Sequence, residues 1–278
     1  MAQAKPDVRV AAAVPDDQPS LARRVARSFV PARLRPATLS VVRPLAYRGH
    51  AVHCACCDGD FSRFIPHQRR PFAKCPRCGA LERHRLLVSY MRERTDLFSA
   101  ELRMLHFAPE WCLQRELRRL PNLDYVSADL ASPLAMDHVD LCDLPYGTDS
   151  FDVVICNHVL EHVDDDQRGL AEIRRVLRDD GRAIIMSPID DASEWTLEDA
   201  SVTTPEERLR VYWQRDHVRR YGRDFADRIA SEGFTVEQIR YIDQFEASEI
   251  KRQGLLRESP LFSHDDIFIC RGQPRAGS

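Results

Sequence analysis

The densest chemistry in the chain is sulfur. Cys54 and Cys57 form one C-x-x-C pair and Cys75 and Cys78 another, with 17 residues between the pairs. Two tight knuckles that each offer two thiolates complete a tetrahedron around Zn2+, and this spacing is that of a four-cysteine zinc ribbon. Pro76 and Gly79 supply the turn of the second knuckle. Cys56 stands too close to Cys54 to replace a ligand in the usual knuckle. A closed four-thiolate shell has no open position, so the ribbon is expected to fold a module or bind a partner. A second constellation, "NHVLEHV", sets His158, Glu161 and His162 at i, i+3 and i+4, on one face if a helix begins there. Such a face can take the proton from a hydroxyl, or hold a divalent cation that lowers the hydroxyl's pKa. Downstream, "QRDHVRRYG" adds Asp216 and His217. H-x-x-E-H also spells an inverted zinc-protease helix, but that needs a long helix, and here the motif directly follows an apolar run.

What must position these groups is a chain of 278 residues, 44% hydrophobic, enough for one full α/β domain and a small extra module. No apolar run approaches the roughly 18 residues of a membrane span, and the start lacks the apolar core of a secretory signal, so a cytoplasmic location is expected. There thiols stay reduced, and Cys112, Cys142, Cys156 and Cys270 are expected to be small core residues. A formal charge of −3 argues against bulk capture of nucleic acid, and no nucleic-acid partner is expected. Residues 1–20 lack periodicity, and 21–48 alternate Arg23, Arg24, Arg27, Arg33, Arg35 and Arg43 with apolar residues and prolines. Segment 1–48 is thus expected as a tail followed by basic amphipathic pieces. These either touch a membrane or another anionic surface or pack their apolar side on the main domain. The ribbon takes 49–83 and the main domain 84–278, with an insertion at about 188–222.

In the main domain strand and helix signals alternate. Strands are predicted over 103–108, 123–128, 138–141, 151–156, 182–186, 234–242 and 266–271, and helices over 110–120, 165–177 and 224–231. Asp180 and Gly181 are expected to turn into the 182–186 strand. This order implies a mainly parallel sheet covered on both faces, with ligands at the carboxyl ends of the strands near the switch in strand order.

The run "DLCDLPYGTDSFDVVICNHVLEHV" from Asp140, followed by "AEIRRVLRDDGRAIIMSP", resembles class I S-adenosylmethionine-dependent methyltransferases of the type 11 group. The resemblance spans 102–272 and is nearest the bacterial branch that pairs a cysteine ribbon with "LHFAPE". It implies a Rossmann-like, seven-stranded α/β sheet and S-adenosylmethionine as cofactor. His106 stands where most members carry an acid, and Ala108, Glu110 and Cys112 stand where they carry glycines. Carried over by position, Glu110 would accept from the cofactor's ammonium beside the small Ala108. Asp129 would bind the ribose hydroxyls, Asp140 would face the adenine amino group with Leu141 beside the ring, and Asn157 completes the cofactor set. Some quinone and RNA methyltransferases similar to this chain hold a metal with E-x-x-E-H, a first position that His158 occupies here. His158, Glu161, His162 and His217 are therefore the catalytic candidates, as a base and its orienter or as ligands of Mg2+ or another divalent ion. The expected reaction is O-methylation of a sugar hydroxyl in a glycan or glycolipid precursor. Asp190, Asp191, Glu198, Asp199, Arg208, Arg210, Trp213 and His217 of the insertion would suit such a ligand. A phenolic or quinone-type acceptor is the alternative, and an inactive fold that serves interaction is another.

Overall fold

Val153, Val154, Ile155 and Cys156 form an apolar run without polar interruption, the signature of a strand buried on both faces. The computed structural model describes residues 44–68, 70–256 and 265–273 and places this run at the centre of the molecule. The expectations for 1–43 lie outside the described residues.

Two short antiparallel hairpins come first, β1 (Val52–Cys54) with β2 (Gly59–Phe61) and β3 (Ile65–His67) with β4 (Arg70–Lys74). Then follow α1 (Glu82–Arg94), β5 (Leu102–Phe107), α2 (Trp111–Leu117), β6 (Leu123–Asp129), β7 (Asp137–His138) and β8 (Phe151–Asn157). After a 3-10 turn at Leu160–His162 come α3 (Asp166–Val176), β9 (Leu177–Met186), α4 (Pro205–Tyr212) and α5 (Phe225–Ala230). β10 (Phe234–Ile239), α6 (Ala247–Gln253) and β11 (Ile267–Gly272) complete the chain. The main sheet runs β10-β11-β9-β8-β5-β6-β7, with β11 antiparallel to both its neighbours and the other pairs parallel. This is the doubly wound, Rossmann-like α/β sheet expected above. No described helix is long and apolar enough to cross a membrane.

Three local expectations need correction. Asp180 and Gly181 do not turn, because β9 already begins at Leu177. Its register against β8 moves from Phe151↔Leu177 to Val153↔Arg182, so a bulge absorbs the extra residues. Gly181 suits that bulge, since a Cβ there would lie 2.8 Å from the Asp152 carbonyl oxygen. The strand predicted over 138–141 shrinks to β7, because the Asp140 carboxylate accepts from the Cys142 amide at 2.8 Å and closes a turn. The strand predicted over 234–242 ends at Ile239, where the chain enters a 3-10 turn at Tyr241–Gln244.

Strand alternation divides the core. Val154 and Cys156 face Leu170 and Ile173 of α3 and Phe225 of α5, whereas Val153 and Ile155 face Leu87 and Met91 of α1 and Leu113 of α2. Cys54, Phe61 and Phe64 of the hairpins belong to this second cluster, so the cysteine module shares its core with the sheet. Arg85 of α1 fastens the junction. It is fully buried and donates to Ala73 O at 3.0 Å, Ala80 O at 2.8 Å, Gln253 O at 2.8 Å and Gly254 O at 2.6 Å, with its guanidinium 3.9 Å from the Phe64 ring centroid. One side chain thereby joins β4, the start of α1 and the end of α6. Gly254 ends α6 at φ 58°, and a Cβ there would meet Phe64 at 2.4 Å. Replacing Arg85 with Met removes the donors of four carbonyls, and the expected loss is about 3 kcal/mol or more in urea unfolding. An unchanged midpoint would show the junction to be held otherwise.

Candidate active site

The site lies where the chain leaves two adjacent parallel strands. β5 exits through Ala108 at φ 46° and β8 through His158 at φ 54°, both in the left-handed region that non-glycine residues avoid. The Ala108 amide donates to Ala128 O at 2.9 Å, on the β6 side, while the His158 amide donates to Met186 O at 2.8 Å, on the β9 side. The two chains peel apart, and a crevice opens between them at the switch point of the sheet.

On one wall stands Glu110, the residue that precedes α2. Its Oε2 lies 3.0 Å from His106 Nε2 and its Oε1 3.5 Å from His84 Nε2. The other nitrogens define the tautomers: His84 Nδ1 accepts from the Leu81 amide at 3.2 Å, and His106 Nδ1 lies 2.9 Å from the Tyr125 hydroxyl, which donates to it. His106 thus turns an Nε2–H to the carboxylate, while His84 Nε2 lies near it without a hydrogen bond. Burial works to raise the Glu110 pKa, but the hydrogen bond from His106, the His84 and His106 rings and the charge of Arg83 pull it down to about 2. An anchored carboxylate thus stands directly before α2. Asp129 ends β6 with Oδ1 bound to the amides of Ala131 at 2.8 Å and Ser132 at 2.6 Å, which fixes the carboxylate at the crevice edge. Next to it Leu130 is 73% exposed, an apolar surface suited to a flat ring. Asp140 is exposed, Leu141 is buried, and Asn157 is 3% exposed with both Oδ1 and Nδ2 lacking a partner. Buried polar groups seldom go unpaired, so Asn157 is suited to a ligand.

On the other wall the expected helical face does not exist. The left-handed His158 breaks the helix, and only the 3-10 turn at Leu160–His162 remains. The group that converges is Glu161, His162 and His217, whose donor atoms lie within 4.8 Å of one another. His158 stands beside it, with Nδ1 3.3 Å from Glu161 Oε1 but out of line for a hydrogen bond, so that Oε1 keeps no partner. Glu161 Oε2 accepts from Ser187 Oγ at 2.9 Å, and His217 Nε2 is buried without a partner. His162 is exposed and leaves the group open to one side. Burial raises the Glu161 pKa, yet the neighbouring imidazoles of His158, His162 and His217 lower it to about 2, while burial drives His217 down to about 4. An ionised carboxylate beside imidazole nitrogens is a donor set for a divalent cation.

The insertion is tied down around this turn. The Val218 amide donates to Glu161 O at 2.9 Å, and Arg219, 1% exposed, donates to Leu160 O at 2.7 Å, Asp164 O at 2.8 Å and Glu198 at 2.7 Å, and to Val163 O. Asp166, also buried, pairs with Arg228 at 2.6 Å and accepts from Tyr221 at 2.7 Å. Such internal pairings take four of the insertion residues that were expected to suit a ligand. Asp190 pairs with Arg220 at 3.2 Å, Trp213 faces the Arg220 guanidinium at 4.3 Å, Glu198 is held by Arg219, and Asp199 accepts from Ser201 at 2.7 Å.

At the far side of α1 the four thiols meet. Cys54 Sγ lies 3.7 Å from Cys78 Sγ, and Cys57 Sγ 3.7 Å from Cys75 Sγ. Zn–S bonds of about 2.3 Å in a tetrahedron put sulfurs roughly 3.8 Å apart, so the set fits the ion. Gly79 turns the second knuckle at φ 75°. His84, Tyr125, Ser187 and Arg219 were not foreseen. Their signal is faint, since the partner of each lies far away in sequence.

Residues 100–185 match the family described as a methyltransferase domain. No curated protein matches it. Similar solved structures include the YcgJ protein of Bacillus subtilis (17% identity, 69% of this chain and 99% of that one, TM-score 0.45). Another is the 1,6-didemethyltoxoflavin-N1-methyltransferase of Burkholderia thailandensis with S-adenosylhomocysteine bound (14%, 69% and 79%, TM-score 0.49). A third is an S-adenosylmethionine-dependent methyltransferase of Mesorhizobium loti (17%, 67% and 97%, TM-score 0.47). At these identities the likeness is one of fold.

The Asp166 cluster yields a pH test. Burial raises its pKa, but the hydrogen bonds of Arg228 and Tyr221 and the charge of Arg219 outweigh it and hold the carboxyl below its usual range. A depressed folded pKa stabilises above the unfolded value of about 4, and the gain is lost as pH falls through the folded pKa. Asp166→Asn is expected to cost about 3 kcal/mol at neutral pH. The gap to the wild type should hold from about pH 5 to 8 and narrow below about 4; a gap flat to acid would refute the ion pair's part.

Proposed function

We propose that this chain, an S-adenosylmethionine-dependent methyltransferase, methylates a hydroxyl of a sugar-type acceptor at the crevice between β5 and β8. When bound, the cofactor supplies an electrophilic sulfonium methyl. Glu110 would receive its ammonium, since lone-pair sites of that carboxylate remain after the hydrogen bond from His106. Asp129 would take the ribose diol beside Leu130, and Asn157 would turn its unpaired amide to the same ligand.

The observation that carries oxygen as the acceptor atom is that Glu161 Oε1 and His217 Nε2 are buried without hydrogen-bond partners in one group with the exposed His162. A sulfonium needs little activation, whereas an alcohol is a poor nucleophile until its proton leaves. Glu161, His162 and His217 would hold a divalent cation, and two imidazoles with one carboxylate favour Mn2+ or Zn2+ over Mg2+. Such a cation lowers the pKa of a bound hydroxyl. His158 would orient Glu161. Support for the sugar class comes from Trp195 of the insertion, 66% exposed and available to stack on a sugar face. We further propose that Cys54, Cys57, Cys75 and Cys78 hold a structural Zn2+.

Calorimetry should show S-adenosylhomocysteine binding that weakens at least about tenfold in Asp129→Ala, a loss of about 1.4 kcal/mol. No binding to folded wild-type protein would favour an inactive fold. Labelled methyl offered with oligosaccharide, phenol and RNA panels should appear on the oligosaccharides; label on phenols or RNA alone would overturn the acceptor class. Glu161→Gln should slow transfer by about 100-fold or more while S-adenosylhomocysteine affinity stays within about twofold. Full turnover would remove the Glu161 group from the reaction. Metal analysis should find zinc that is lost in Cys75→Ser, and a metal-free wild type would refute the zinc assignment.

A further inference from the structure

A cation held by Glu161, His162 and His217 needs an oxygen of Glu161 in a fixed place, yet a glutamate side chain has several rotatable bonds and must be ordered to provide one. The neighbours differ in whether they can order it. The His158 ring comes within 3.3 Å of Oε1 but out of line for a hydrogen bond. Arg219 gives its donors to the carbonyls of Leu160, Val163 and Asp164 and to Glu198. Among the described residues, the hydrogen bond that the Glu161 carboxylate does receive comes from Ser187, whose Oγ donates to Oε2 at 2.9 Å.

Ser187 is placed to keep that bond. It is the first residue after β9 and is 3% exposed. On one side Met186 is fixed twice, opposite Asn157 in the register with β8 and as acceptor of the His158 amide at 2.8 Å. On the other side Pro188 disfavours the helical region for Ser187. Ile189 then bridges to Tyr221, and the Asp190 amide donates to Tyr221 O at 2.8 Å. A short side chain on a backbone held at both ends has little choice of where to put its hydroxyl. The Glu161 end is equally firm, since its carbonyl accepts from the Val218 amide at 2.9 Å and the residue is buried. An ionised carboxylate only accepts, so the proton of the hydroxyl points to it. Oε2 is thereby occupied, and Oε1, which has no partner, is the oxygen left for a ligand.

We infer that Ser187 is a positioning residue of the Glu161 group: by holding Oε2 it orders the carboxylate and leaves Oε1 as the oxygen offered to the cation. The inference rests on the cation reading proposed above. Ser187 lies beyond the matched stretch 100–185 and directly before the insertion. Glu161 thus takes its orientation from the start of the insertion, while His217 joins the group from near its end.

The test uses the full chain, with Mn2+ as the probe because a four-thiolate site does not favour that harder ion. Binding is followed by calorimetry and by loss of the free-ion paramagnetic resonance signal, with S-adenosylhomocysteine affinity measured alongside. The wild type should bind Mn2+, and Glu161→Gln should abolish that binding. Ser187→Ala, which removes only the hydroxyl, should weaken Mn2+ by about 10-fold or more and leave S-adenosylhomocysteine within about twofold. Ser187→Thr, which keeps a hydroxyl on the same carbon, should bind Mn2+ within about threefold of the wild type. Unchanged Mn2+ affinity in Ser187→Ala would show that Glu161 is ordered without the hydroxyl, and equal weakening of Mn2+ and S-adenosylhomocysteine would mean a general structural role. Either result overturns the inference while the cation reading stands. If the folded wild type binds no Mn2+, or Glu161→Gln binds it as well as the wild type, the cation reading itself fails and the inference falls with it.

Discussion

Two carboxylates, the half-buried Glu110 and the buried Glu161, stand after neighbouring strands of one sheet, and the need to keep each ionised shapes what surrounds them. Burying a carboxylate costs several kcal/mol unless donors and cations replace its water. Glu110 draws His84 from α1 and His106 from β5. Glu161 draws Ser187 from beyond β9 and His217 from the insertion. Each acid is approached by groups from a different periphery, so the ribbon side and the insertion both build the walls of the crevice.

That requirement links parts which look separable. The cysteine module shares a core with α1 and α2, and Arg85 bonds to carbonyls of β4 and of the end of α6. The pose of α1 beside Glu110 therefore depends on the module that carries the four thiols. Across the crevice, Arg219 and Asp166 do the same for the insertion, fixing the backbone around Glu161 through carbonyls of Leu160, Val163 and Asp164. A rigid second support of this kind is what a reaction that depends on positioning requires.

The loss of glycine from the loop has a structural consequence of its own. Ala108 still takes the left-handed backbone that a glycine would take freely, at a strain of order 1–3 kcal/mol. The neighbouring strand has a similar exit at His158, which is why "NHVLEHV" cannot be the helix its spacing suggests. The same strain parts the two chains and leaves Asn157 and Glu161 with unpaired atoms at the crevice.

Much of the architecture was legible in the chain alone. Apolar runs such as 151–156 and the alternation of periods determined the order of strands and helices, because a buried parallel strand must be apolar on both faces. The cysteine spacing determined which sulfurs converge, since a knuckle is a local structure, and the acid after the second strand was legible by its place in the order. Contacts between distant segments were not. Nothing local tells that His217 joins Glu161 and His162, that His84 turns to Glu110, or that Asp190, Glu198 and Trp213 are taken by arginines of their own insertion. Periodicity reports which face of an element is buried, but which buried polar atoms meet depends on packing across the fold, and only the tertiary structure decides it.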